Sequence, residues 1–439
     1  MNIVQELLGL RNLEIKNIED VVFKDKRTKF LHLSYCGEVP YACPKCGSAL
    51  YKHGKRVIKV IDTPLNGYPA ILSITLPRCR CRNEDAKHIW QPEIPEIDEK
   101  HQMTRRALLS ITEHSMHTTF ADVAEDYPLT TNTVKNIFVD FLKENRRNLK
   151  FKTPAFLGID EIKIKHMGEL TVITDLEHRT LFDILRGRNQ KQLIAYFKEL
   201  ANREQILWVC SDMYRPIQKA ITDTMPNARW VIDYFHVVMK ANDALDSVSK
   251  NLQKDMDKQV RIQTKKGLAY TLKQRLKDIS AEDAAKLRDI RQDNALAPLM
   301  VAFDLKEDFL NIYAENTVSK DNAITAFETW EKNIPKDALY DKFRELAATV
   351  HHFYEQIFNY WDCPIAISNG LTKCTNRLIY ENNMKGRGYS FDVLRARTLY
   401  RNINLRNALE NGLLDNTGPV IPLNGSVFDI DGAQNDENA

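Results

Sequence analysis

No apolar run in the 439-residue sequence is long enough to span a bilayer, which argues against an integral membrane protein. Residues 1–6 lack the basic-then-apolar pattern of a secretory signal, so the expected location is the reducing cytoplasm. An excess of one charge is missing too: 62 Lys+Arg against 59 Asp+Glu leave +3, which excludes a histone-like polycation. Glycine and proline, 16 of each, are too few for a largely disordered chain, and no internal repeat is found. Eight cysteines in a reducing compartment read better as thiols or metal ligands than as a disulfide framework. What remains is a globular chain with room for about two to four domains.

The small net charge hides local asymmetry. Residues 51–90 carry eight Lys/Arg and three acids, residues 371–410 repeat those numbers, and 411–439 hold five acids with no Lys or Arg. Two separated basic segments suit phosphate contacts, although on charge alone a solvated charged surface is the preferred reading.

Along the chain, apolar runs such as Val57–Ile61 and Ile71–Leu76 make 36–90 strand-rich, 91–100 reads as a proline-broken linker, and 101–147 reads as helical. From Phe156 the pattern changes to three successive β-like runs (156–164, 170–176, 180–185). Then follow a helix near 191–202, a strand over 205–210, a helix over 216–224 and a strand over 229–233, an α/β order. The charged stretch beyond 240 has helical periodicity, and 364–408 is helical with a break at Gly386-Arg387-Gly388.

Three constellations carry chemistry. Cys43-Pro44-Lys45-Cys46-Gly47 is a C-x-x-C knuckle, and Cys79 and Cys81 return after a strand-rich stretch, the plan of a zinc ribbon. The Cys79-x-Cys81 spacing is taken to send the two thiols to opposite strand faces. Cys43, Cys46 and Cys81 then bind Zn²⁺, with Cys79 or His88 as the fourth ligand and His53 as a further option. Residues 120–138 fit two short helices about a turn, with Phe120, Val123, Ala124, Val134, Ile137 and Phe138 packed together. Thr130 or Thr131 caps the second helix, which offers Thr131, Asn132 and Lys135 to a major groove. Finally, Asp160 lies in the first β-like run and Asp212 ends the fourth. Ribonuclease-H-like folds set those strands side by side, so two carboxylates can hold Mg²⁺ or Mn²⁺ for phosphodiester chemistry. Asp233 is a third candidate, either structural or positioning DNA.

These segments, with Gly158-Ile159-Asp160-Glu161, Ser211-Asp212-Met213, Val231-Ile232-Asp233-Tyr234-Phe235-His236-Val237, Ser368-Asn369-Gly370-Leu371-Thr372, Asn376 and Gly386–Phe391, make the chain resemble the DDE transposases of the ISL3 insertion-sequence family over about residues 40–405. The resemblance implies a multidomain α+β protein. It has a zinc-ribbon-like N-terminal region (1–95), a helix-turn-helix (96–150), and a ribonuclease-H-like α/β core (151–240 and 359–410). An all-helical insertion (241–358) interrupts the core; outside the resemblance, the Gly/Asn/Asp-rich composition of 411–439 reads as an acidic tail. The resemblance also implies a nucleoid-associated enzyme that binds double-stranded DNA at terminal inverted repeats, with Arg78, Arg80 and Arg387 among its contacts. Metal-dependent cleavage and strand transfer would be catalysed by Asp160 and Asp212 within a synaptic homodimer.

One departure bears on activity. The family's third acid, in a stretch like S-N-G-x-T-E-x-x-N, falls on Lys373, and an ammonium repels Mg²⁺ rather than ligating it. Glu381 lies eight residues on, about 12 Å along a helix, and is a weak substitute. A second departure puts Ala86 where a further cysteine is usual. The alternative reading is therefore a catalytically impaired copy that acts only as a sequence-specific DNA-binding protein.

Overall fold

The computed structural model describes residues 8–83, 88–145, 151–254, 271–293, 296–313 and 319–401. The expected tail 411–439, Ala86, Lys87 and the helical residues expected beyond 401 lie outside them. Contacts divide the chain into two units, one of residues 8–145 with 381–401 and one of 151–380.

In the first unit, β1 (Leu13–Phe23), β2 (Lys26–Tyr35), β3 (Leu50–Leu65) and β4 (Tyr68–Cys81) form a sheet in the order β1-β2-β4-β3. The short β5 (Ile89–Trp90) pairs with β4, while β6 (Ile97–Asp98) and β7 (Met103–Thr104) extend the β3 edge. Alternation sends Leu31, Leu33, Leu72, Ile74 and Leu76 into one apolar cluster with Ile97, so the stretch read as a linker contributes a core residue. Buried Asp62 accepts from Thr104 Oγ1 and Arg106 Nε, each at 2.7 Å, which ties β3 to the start of the next helix. Three helices follow, α1 (Arg105–His117), α2 (Phe120–Glu125) and α3 (Thr131–Asn145).

The second unit is built on a five-stranded sheet. Its strands are β8 (Phe156–Ile164), β9 (Gly168–Asp175), β10 (Thr180–Arg186), β11 (Trp208–Ser211) and β12 (Arg229–Ile232), in the order β10-β9-β8-β11-β12. The first three are antiparallel neighbours, and β11 runs parallel to both β8 and β12. Helices α4 (Gln190–Glu199) and α5 (Arg215–Thr224) supply the crossovers, and α6 (Tyr234–Leu252) starts directly after β12. Among the described residues, only helices stand between β12 and Gly370: α7 (Ala281–Gln292), α8 (Ala297–Asn311), α9 (Lys320–Lys332), α10 (Asp341–His352) and α11 (Tyr354–Phe358), with short 3₁₀ turns. Leu157, Ile159, Val209 and Ile232 share one core with these helices. The opposite face carries Phe156, Trp208, Cys210, Val231 and Ile367.

Helix α12 (Gly370–Lys385) follows that opposite face, and α13 (Phe391–Leu399) returns to the first unit. There buried Arg397 donates to Ser115 O (2.6 Å) and Thr118 O (2.7 Å) at the end of α1, with its guanidinium 4.7 Å from the Tyr389 ring centroid.

Candidate functional site

The registers of the parallel strands align three acids. Gly158, Cys210 and Val231 are partners across β8, β11 and β12. Two residues further along each strand stand Asp160, Asp212 and Asp233, so side-chain alternation directs them to the face shared with Phe156 and Cys210. This is the carboxyl end of the parallel strands, where open α/β sheets present their sites.

Burial differs along the row. Asp160 and Asp212 are partly exposed, whereas Asp233 is fully buried and caps α6, its Oδ1 accepting from Phe235 N (3.5 Å) and Asn369 N (3.4 Å). Desolvation raises the carboxyl pKa of Asp160 and of Asp212 above the ordinary aspartate value. The nearby His236 charge opposes the rise at both, and Lys373 opposes it at Asp160. Burial likewise raises Glu161, although Arg188 ion-pairs with it; Arg188 Nε also reaches Glu169 Oε2 at 3.0 Å.

Helix α12 closes over this row through residues at helical spacing. Asn369, just before its first turn, donates from Nδ2 to Ile159 O (2.9 Å). Thr372 Oγ1 meets Thr174 Oγ1 at 2.8 Å inside the core, Asn376 Nδ2 donates to Asp160 Oδ2 at 3.1 Å, and Tyr380 donates to Lys163 O at 2.6 Å. Gly158 permits the approach: a Cβ there would lie 2.5 Å from Thr174 Oγ1 and 2.8 Å from Asn369 Oδ1.

Lys373 is half-buried on the same helix. Its Nζ stands 2.9 Å from the centroid of the Phe235 ring. Burial lowers its pKa, while Asp233 and Asp160 act to raise it. Glu381 is exposed. Buried oxygens left without a donor gather here: Glu161 Oε1, Asp233 Oδ2, Asn369 Oδ1 and Asn376 Oδ1, together with His236 Nε2. Oxygens in that condition, beside two half-buried carboxylates, suit a hard divalent cation.

The cysteine cluster is compact. Among the described residues, the thiols of Cys43, Cys46 and Cys81 form the one group of three or more potential ligands lying within 4.8 Å of one another. The knuckle turn is held by Gly47 N donating to Cys43 O (2.8 Å), with Gly47 at φ +74 in the left-handed region that favours glycine. His88 Nδ1 lies 3.7 Å from Cys43 Sγ. A backbone hydrogen bond from Ser48, with help from Cys81, lowers the Cys46 thiol to about 6. Cys79 stays outside the cluster, but not for the reason the spacing suggested. Residues i and i+2 of a strand share a face, and Cys79 and Cys81 are both buried on β4; about 6.6 Å of strand rise separates them. His53 is exposed.

Helices α2 and α3 form the expected pair. Thr119 and Asp122 make a capping box on α2, and Thr130, not Thr131, caps α3, its Oγ1 accepting from Thr133 N at 3.2 Å. Val134, Ile137 and Phe138 are buried, leaving Thr131, Asn132 and Lys135 exposed on the other side. Arg78 and Arg80 are half-buried on β4, and Arg387 is exposed with φ +50.

Local sequence patterns pointed to the carboxylates, the thiols and α3. They assign no role to Phe235, Arg188, Asn369 or Asn376, although all but Arg188 stand in recognisable segments. The signal available was the i, i+3, i+7 spacing of Asn369, Thr372 and Asn376 on an otherwise polar helix.

Comparison with known proteins agrees with this anatomy. Residues 157–398 match a family described as Transposase, 92–142 the helix-turn-helix domain of transposase family ISL3, and 39–83 the zinc-finger of transposase IS204/IS1001/IS1096/IS1165. The transposases for insertion sequence element IS1557 from Mycobacterium tuberculosis strains CDC 1551 / Oshkosh and ATCC 25618 / H37Rv are each 27% identical over 257 residues. That match covers 52% of this chain and 56% of each relative, so the similarity spans a little over half of their length. With the transposase match alone covering more than half of its residues, the chain belongs to the ISL3 family of transposases.

Proposed function

We propose that the protein is an insertion-sequence transposase that binds the terminal inverted repeats of its element and cuts and joins DNA with a divalent metal. The observation that carries this reading is the register row of Asp160 within β8, Asp212 just past β11 and Asp233 just past β12, on three adjacent parallel strands. The order β10-β9-β8-β11-β12 supports a ribonuclease-H-like core over 151–240 and 359–410, with 241–358 as its helical insertion, 1–95 as the zinc-binding region and 96–150 as the DNA-reading region.

Asp160 and Asp212 are the residues that would hold Mg²⁺ or Mn²⁺. The bound ion would activate a water or 3′-OH and stabilise the leaving oxygen of the phosphodiester. Asn376 fixes the Asp160 carboxylate, and Arg188 holds Glu161 beside Asp212. His236 adds positive potential near both acids when protonated. Thr131, Asn132 and Lys135 read base edges, while Arg78, Arg80 and Arg387 contact phosphates. Zn²⁺ on Cys43, Cys46, Cys81 and His88 is structural. Two element ends must be joined, so the working form is a homodimer on DNA within the nucleoid.

A second reading rests on one observation: an ammonium, Lys373, occupies the third-acid position beside Asp160 and Asp233. On this reading the chain binds element ends without cutting them. A Mg²⁺ or Mn²⁺ cleavage assay on an end fragment, run with wild type, Asp160→Ala and Lys373→Glu, separates the two. Cutting by wild type that Asp160→Ala abolishes supports the enzyme. Silence from wild type, with end binding retained, supports the DNA-binding protein, and cutting by Lys373→Glu then marks Lys373 as the block.

A further inference from the structure

An ammonium placed among carboxylates should pair with one of them. Lys373 does not: among the described residues no carboxylate oxygen lies within 4.0 Å of its Nζ, and its contact is the ring of Phe235, 2.9 Å from Nζ to the centroid. Asp160 meanwhile takes its hydrogen bond from Asn376, and Asp233 takes its own from backbone N–H groups. Phe235 is held for this task. It lies in the first turn of α6, its N–H directed at Asp233 Oδ1, its ring half-buried beside α12. The aromatic face attracts a partly desolvated ammonium strongly enough to compete with a carboxylate that still sees water.

We infer that Phe235 is a positioning residue that holds the Lys373 ammonium on its ring, away from Asp160 and Asp212, and so keeps those carboxylates available to a divalent cation. The inference rests on the proposed metal-binding role of the two acids. It concerns the charge and position of Lys373 rather than its titration, and it gives the site a defined role for the residue that replaces the family's third acid.

The consequence is a coupling between two side chains. Without the ring, Lys373 is free to swing onto the acids and compete with the metal. Without Lys373, the ring has nothing to hold. The test is Mn²⁺ binding to the full chain without DNA, followed by electron paramagnetic resonance of free Mn²⁺, for wild type, Phe235→Leu, Lys373→Met and the double variant. Phe235→Leu should weaken Mn²⁺ binding roughly tenfold in the wild-type background. In the Lys373→Met background the same change should leave binding within about twofold.

Equal loss in both backgrounds, or no loss in either, overturns the inference while leaving the metal site standing. No Mn²⁺ binding by wild type and none by Lys373→Met overturns the metal reading and the inference with it. Should Phe235→Leu fail to fold, Phe235→Trp carries the test, because indole is the stronger cation-binding face. It should bind Mn²⁺ at least as tightly as wild type, and a tenfold loss that persists alongside Lys373→Met counts against the inference.

Discussion

Asn376 on α12 donates its amide to Asp160 Oδ2 at 3.1 Å, joining residues 216 positions apart in the chain. The bond stabilises the charged carboxylate, while desolvation, the largest influence on this group, works the other way. Removing the donor with Asn376→Ala therefore raises the Asp160 pKa further. Since a metal ligand must be deprotonated, the acid limb of Mn²⁺ binding should move to higher pH. The loss should reach about tenfold on that limb, as for a hydrogen bond to a charged group, and fade at alkaline pH. A pH titration of Mn²⁺ affinity checks it; an unmoved limb would mean that the amide does not support the ligand.

The same raised pKa sets the direction of a stability prediction. A carboxyl whose folded pKa lies above its unfolded value costs stability when both states are ionised. That cost fades as pH falls through the folded value toward the unfolded one. In metal-free protein, Asp160→Asn should therefore raise the melting temperature at neutral pH, by a few degrees at most, and remove the proposed metal-dependent cleavage. The gain should shrink near pH 4. Calorimetry at two pH values measures it, and a lower melting temperature at pH 7 would contradict it.

The strands bearing Asp160 and Asp212 were legible because a buried parallel strand is a short apolar run with an abrupt polar end: Trp208–Ser211 ends at Asp212 and Arg229–Ile232 at Asp233. The knuckle and helix α3 were legible because a thiol pair or a helix cap is settled within a few residues. The grip of α12 on β8 was not: the spacing of Asn369, Thr372 and Asn376 marks a shared helix face, but the Asn376–Asp160 and Thr372–Thr174 bonds join segments about 200 residues apart, so nothing local names the partner. The misjudged face of Cys79 came from the strand period itself, which puts alternate residues on one side.

Gly158 illustrates a close approach with a measurable cost. A Cβ there would meet Thr174 Oγ1 at 2.5 Å, and Asn369 Oδ1 and Leu176 Cδ2 at 2.8 Å, all inside a packed interior. Gly158→Ala should destabilise the protein by about 1–3 kcal/mol, as overpacked cores do. It should also displace Asn369, so metal affinity falls with stability. Urea unfolding measures the first effect, and an unchanged midpoint would show that α12 yields freely.

Zinc content should depend on three thiols unequally matched with a fourth. Cys43→Ser, Cys46→Ser and Cys81→Ser should each lose bound zinc and destabilise the β3–β4 hairpin, because those thiols cluster within 4.8 Å. His88→Ala should weaken zinc retention, its Nδ1 lying 3.7 Å from Cys43 Sγ. Cys79→Ser should keep a full equivalent. Elemental analysis after dialysis against a chelator distinguishes them, and zinc loss from Cys79→Ser alone would reassign the fourth ligand.

The turn of the helix pair is braced from a distance by the N-terminal hairpin. Lys26 Nζ donates to Ala124 O (2.6 Å), Glu125 O (2.9 Å) and Tyr127 O (3.1 Å), and Lys24 Nζ to Pro128 O (3.2 Å). A cation there satisfies carbonyls that the end of α2 leaves free and opposes the negative end of its dipole. Lys26→Met should loosen the angle between α2 and α3 and weaken binding to the element's own ends about three- to tenfold, with Lys26→Arg restoring part of it. Because Lys26 is spent on carbonyls rather than phosphates, the slope of affinity against salt should not change. By contrast, Arg387→Ala, at an exposed residue assigned to a phosphate, should lower that slope by about one. A gel-shift series over salt separates a brace from a contact: a slope that falls with Lys26→Met would move that lysine from the scaffold to the DNA.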